Sequence, residues 1–105
     1  MSNDAVDLSA EDAKLVTLAR ATRARARADE GAAVRDLDGR TYAAASVDMP
    51  SLQVSALGVC VAMAFSSGSR GLEAVVVMGG GPELSSFDAA LLREFEGDDV
   101  VVHLV

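Results

Sequence analysis

Apolar residues recur along this chain in two rhythms, and the switches between them mark its elements. Leu8, Leu15, Val16, Leu18 and Ala19 form a stripe at roughly helical spacing. Ser9 can cap the free amides of that helix, and Glu11 and Asp12 fall in its positive first turn. The alanine–arginine alternation to Ala28 continues the helix on propensity, without a large apolar face. Gly31 resets the pattern. Ala32 to Leu37 reads as a strand and Thr41 to Val47 as its partner. The link Leu37-Asp38-Gly39-Arg40 contains Asp-Gly, a strong hairpin signal because both turn residues tolerate positive φ. Met49-Pro50-Ser51 then interrupts, since the residue before proline disfavours helix.

Leu52 to Ser66 is apolar nearly all round, which predicts a second helix covered on most sides. Gly58 costs up to about 1 kcal/mol there against alanine, so a close backbone approach to the sheet is expected. Ser66-Ser67-Gly68 ends it. Leu72 to Met78 is rich in valine, as in a central strand buried on both faces. Gly79-Gly80-Gly81-Pro82 reads as a flexible loop. Ser85 or Ser86 caps a third helix, Phe87 to Glu96, closed by Gly97. Asp99 to Val105 is the last strand. The predicted order is α-β-β-α-β-α-β, an α/β fold with a mixed four-stranded sheet. Residues 1–8 read as a flexible, acidic N-terminus, and 9–105 as a single domain.

Composition narrows the classes. A chain of 105 residues, 50% of them hydrophobic, builds one small core without staples. Cys60 is the only cysteine, which excludes an internal disulfide. No signal-like segment opens the chain, so a cytoplasmic location is expected. The apolar run Val54 to Phe65 is too short for a bilayer, which needs roughly 20 residues. The net charge of −7 argues against a general nucleic-acid binder. Arg20, Arg23, Arg25 and Arg27 are the local exception, read as a solvated helix end facing the negative pole of the dipole, or else as an anion or RNA patch. Mid-helix Cys60 reads as a buried small hydrophobe rather than a reactive thiol. His103 reads as a core or edge histidine with no second ligand spaced to pair with it. Gly79-Gly80-Gly81 follows a strand, but no Gly-Lys-Ser/Thr completes a phosphate loop.

Gly31-Ala32-Ala33-Val34-Arg35-Asp36, followed by Asp38-Gly39-Arg40-Thr41-Tyr42, resembles the opening hairpin of the cytidine deaminase family. Ser46-Val47-Asp48 falls where that family has Asn-Val-Glu, and Ser55-Ala56-Leu57 where it has Cys-Ala-Glu, after a somewhat shorter gap. Leu72 to Met78 matches the next strand. Leu84 to Phe95 matches the helix that begins Pro-Cys-x-x-Cys and ends near Glu-Phe, here Glu94-Phe95. The resemblance implies a three-layer α/β/α sandwich with one strand antiparallel to the rest. The family's usual fifth strand has no counterpart segment here.

The resemblance also implies a chemistry. Such enzymes hold Zn²⁺ with His or Cys and two further Cys; the metal activates a water and a Glu moves the protons. By position the ligands would be Ser55, Ser85 and Asp88, and the proton shuttle Leu57. Serine is a poor zinc ligand at neutral pH, and leucine carries no proton. No zinc, no other cofactor and no catalytic residue are therefore expected. Ser46 and Asp48 hold the family's ribose positions with shorter side chains, and Arg23 to Glu30 lacks the aromatic that would stack on the base. The resulting expectation is a catalytically inactive cytidine deaminase-like protein. It would act as a binding or assembly module, as a homo-oligomer (dimer or tetramer) or with a protein partner, through the apolar Leu52 to Phe65 helix. Two alternatives stay open: an active nucleoside deaminase with an atypical site, and an RNA-associated protein using Arg20–Arg27.

Overall fold

In the computed structural model Ser9 starts helix α1 (Ala10–Ala26) as its hydroxyl suggests, accepting the Asp12 amide at 3.0 Å. The structure describes residues 8–95 and 99–105. The fraying expected at the N-terminus and the helix stop at Gly97 lie outside them, Leu8 excepted. Strands β1 (Gly31–Asp36) and β2 (Thr41–Ala45) form the expected hairpin. Its turn differs in detail. Only Gly39 takes a positive φ, at 88°, so Asp38 keeps an ordinary backbone. The Gly39 amide donates to Asp36 O and the Asp36 amide to Arg40 O, which makes a three-residue loop with a glycine bulge. The buried Asp36 carboxylate accepts the Asp38 and Arg40 amides and the Ser69 hydroxyl. Burial alone would raise its pKa, but these hydrogen bonds hold it below the usual carboxylate value.

Two expectations around Pro50 are corrected. Val47 does not continue β2, and Leu52 to Val54 is not helix. The segments form a separate two-stranded hairpin, β3 (Val47–Met49) with β4 (Leu52–Val54), pairing Val47 with Val54 and Met49 with Leu52. Pro50-Ser51 makes its turn. The cap decides where the helix begins: Ser55 Oγ accepts the Gly58 amide at 3.0 Å, so α2 runs Ala56–Ser66. Strand β5 (Leu72–Met78), helix α3 (Ser86–Phe95) and strand β6 (Val101–Leu104) follow.

The main sheet has the order β2-β1-β5-β6. β1 runs antiparallel to both neighbours and β5 parallel to β6. One strand is thus opposed to the rest, as expected. Alternate residues of the inner strands go to opposite faces. Ala33, Ala74, Val76 and Met78 pack with Leu15 and Ala19 of α1. Ala32, Val34, Val75 and Val77 pack with Leu57, Cys60, Ala64 and Leu92 on the α2–α3 side. Three layers result. Gly31 is a close join between sheet and helix: a β-carbon there would lie 2.7 Å from Arg23 Cβ on α1.

Candidate functional site

The sequence positions singled out for chemistry converge where α2 and α3 begin. Ser55 caps α2 and donates its hydroxyl to Asp88 Oδ1 at 2.6 Å. Asp88, 2% exposed, sits in the first turn of α3, and its own amide donates to Ser85 Oγ at 3.1 Å. Ser85, rather than Ser86, is therefore the cap of α3. Ser55 and Asp88 thus tie the two helix starts together. Leu57, two residues into α2, is 0% exposed and belongs to the apolar core.

Gly58 was expected to touch the sheet. A β-carbon there would instead meet Val54 of β4 at 2.9 Å and the Phe87 ring of α3 at 3.4 Å. The glycine lets the β3–β4 hairpin and α3 close over α2.

Beside this tie opens a polar cleft of about 490 Å³, lined in part by Glu30, Ser46, Asp48, Ser55 and Gly80. Ser46 does not point freely into it: its Oγ accepts the Glu30 amide at 3.1 Å, and its own amide donates to Glu30 O at 3.0 Å. Asp48 is exposed on β3 at the cleft wall. Sequence reasoning missed Glu30. Its Oε1 accepts the amide of Ala56, the first residue of α2, at 3.2 Å. No pattern in the sequence links Glu30 to a helix start 26 residues later. With Asp29, Glu30 and Asp48 on its walls and no basic residue lining it, the cleft suits a group that donates hydrogen bonds.

The zinc implied by the resemblance can be tested against these donors. Ser55 and Ser85 both use their oxygens to cap helices, and Ser55 also gives its proton to Asp88. One carboxylate and two engaged hydroxyls do not suit zinc, which prefers thiolate, imidazole or carboxylate. Among the described residues no three His, Cys, Asp or Glu side chains are grouped to hold a metal. The residues do not fit the metal.

On the opposite face lies a charged cluster that sequence reasoning saw only in pieces. Asp12 Oδ1 pairs with Arg35 Nη2 at 2.7 Å, and its Oδ2 lies 2.9 Å from His103 Nε2. Arg35 Nε also pairs with Glu73 at 2.9 Å. Burial would raise the Asp12 pKa, but His103 and Arg35 outweigh it and hold the carboxyl below its usual value. His103 thus lies on the edge strand β6, one of the two placements expected, and is partnered there by a carboxylate of α1. The bond to Glu73 pushes Arg35 up, against its partial burial. Cys60 is fully buried, and burial pushes its thiol up to about 12, so it is no nucleophile.

A family model described as cytidine deaminase-like matches residues 8–105. Solved structures of cytidine deaminases are similar, among them the following three. The cytidine deaminase from Mycobacterium tuberculosis has 25% identity and a TM-score of 0.71, over 86% of this chain and 81% of that one. The cytidine deaminase from Mycobacterium leprae has 26% identity and a TM-score of 0.66, over 83% and 84%. A mutant of the M. tuberculosis enzyme has 26% identity and a TM-score of 0.62; this chain spans 64% of its length and 70% of its own. No curated protein matches this chain.

Proposed function

The chain belongs to the cytidine deaminase-like family, and from that premise we propose that it is a non-catalytic member, a binding or assembly module that needs no zinc. The observation that carries the proposal is Leu57. Where the resemblance puts a proton-shuttling glutamate, an apolar side chain is 0% exposed in the core. Ser55 and Asp88, at the metal positions, bond to each other. General acid–base catalysis needs a titratable group within reach of the substrate, and position 57 supplies none.

The assembly role rests on the α2–α3 surface. All three phenylalanines of the chain, Phe65, Phe87 and Phe95, lie there and none is buried. Phe65 is 70% exposed and meets Phe95 edge to face, with ring centroids 6.0 Å apart. Between the helices runs an apolar groove of about 350 Å³. Aromatic residues held outside a small core favour an interface with a second copy. Among the described residues no helix is long and apolar enough to cross a membrane.

One observation favours the competing reading of a working deaminase with an atypical site: Glu30 places a carboxylate at the start of α2, beside the cleft. Two measurements decide. Elemental analysis of protein grown with zinc and then dialysed is expected to find less than stoichiometric metal, and a cytidine ultraviolet assay no turnover. Stoichiometric zinc, or turnover lost on Glu30→Gln, overturns the reading. Light scattering at micromolar concentration is expected to give a dimer or tetramer that Phe65→Ser dissociates; a monomer refutes self-assembly.

A further inference from the structure

We infer that the C-terminal end of α1 is a binding site for a small phosphate-bearing ligand, held by Arg20, Arg23 and Arg27. Three, four and seven residues separate these arginines, so they share one helix face. The fold turns that face onto a cleft of about 380 Å³, floored by Ala24, Ala28 and Met78. Arg25 does not line it.

Two sequence signals that carry little alone meet here. The Arg23 guanidinium lies against the backbone of the glycine loop: a β-carbon on Gly79 would sit 2.9 Å from Arg23 Cζ. Arg23 Nε donates to Ala28 O at 3.3 Å. The guanidinium is thus oriented before any ligand arrives, which reduces the ordering cost of binding. Its terminal nitrogens have no acceptor among the described residues. Arg20 and Arg27 likewise make no ion pair there, although the chain as a whole carries −7.

The helix dipole does not account for the whole set. Cations in the last turn meet the dipole, and those are Arg23 and Arg25. Arg20 stands before that turn. Arg27 caps the helix in a left-handed conformation, φ 54° and ψ 44°. The Ala28 amide bonds to Arg23 O and the Arg27 amide to Ala24 O, a closing motif whose left-handed position normally holds glycine. Arg27 is the one non-glycine residue with positive φ among the described residues. Arginine there costs stability that glycine would not, and a ligand for its side chain explains its presence.

Three guanidiniums on one small cleft match the oxygens of a phosphate monoester or pyrophosphate, which arginine meets in pairs of hydrogen bonds. The acidic remainder of the chain opposes a long polyanion, so a small ligand fits better than RNA. Asp29 and Glu30 line the other cleft, across the glycine loop.

Calorimetry with inorganic pyrophosphate at low salt tests the site on the full chain. One binding event per chain is expected. Arg20→Gln and Arg23→Gln should each weaken it by about tenfold or more, the loss of a charge-assisted hydrogen bond, and Arg25→Gln should leave it unchanged. Arg27→Gly is the discriminating variant: it should weaken binding while raising the melting temperature, which a purely structural arginine would not do. No heat with wild-type protein, or equal binding by the Arg20→Gln/Arg23→Gln double variant with its circular dichroism intact, overturns the proposal. Binding of a single-stranded RNA oligonucleotide without any response to pyrophosphate also overturns it, in favour of a nucleic-acid surface.

Discussion

Replacing Leu57 by glutamate restores the side chain that the family resemblance expects, and the structure says that this should harm the protein. Leu57 is 0% exposed. Removing its apolar burial forfeits roughly 1.5–3 kcal/mol. A carboxylate left there without a counter-ion adds several kcal/mol of desolvation. Leu57 is the second residue of α2, so the helix dipole returns something, at most about 2 kcal/mol. Glu30 already occupies the Ala56 amide, which reduces that return. The net loss is about 4 kcal/mol, out of the roughly 5–15 kcal/mol that such a domain has. At about 4–8 °C per kcal/mol the melting temperature should drop by more than about 15 °C. The near-isosteric Leu57→Met should cost less than about 1.5 kcal/mol. The pH dependence has a definite sign. A buried glutamate has a raised folded pKa, so it costs least while protonated, below its unfolded value of about 4.3. The penalty grows as pH rises from there through the folded pKa. Thermal unfolding of both variants at acid and neutral pH is the assay. Wild-type stability of Leu57→Glu at neutral pH would refute the reasoning and make position 57 part of an open polar pocket.

Asp12→Asn should cost about 3 kcal/mol at neutral pH, the low end for a broken buried pair because Glu73 still holds Arg35. The Asp12 pKa is depressed on folding, so its contribution is present above the ordinary value of 3.8 and lost as pH falls through the folded one. Urea unfolding should therefore show the gap between Asp12→Asn and wild type narrowing in acid; a constant gap would argue against the ion pair. Gly31→Ala should lose about 1–3 kcal/mol by overpacking, since its β-carbon meets Arg23 Cβ at 2.7 Å and the backbone of α1. An unchanged denaturation midpoint would mean that α1 moves aside freely.

The strands and helices of the main sheet were legible because each is long and bounded by its own signal: Ser9 before α1, the Asp-Gly turn, the valine run of β5. The β3–β4 hairpin was not, since Leu52-Gln53-Val54 adjoins an apolar helix and periodicity cannot divide so short a run. The hydroxyl of Ser55 was the available boundary signal. At the positions the resemblance marks, the residue types were legible, because serine and leucine differ chemically from cysteine and glutamate wherever they sit. What Asp88 and Glu30 do was not legible. Each finds its partner through the fold, Asp88 at Ser55 and Glu30 at Ala56, and a sequence does not display separations closed by packing. The same holds for Asp12: the first turn of a helix accounts for an acid, and only the sheet brings Arg35 and His103 to it.

The bond between Ser55 and Asp88 bears on how the protein lives with its surroundings. Where a structural junction is made by a metal, folding is linked to metal supply and chelators unfold the chain. Here the two helix starts are fastened by side chains that every copy carries from synthesis. If the zinc-free reading proposed above holds, the domain reaches its native state in starved and in replete cells alike and makes no claim on the pool that metalloenzymes share.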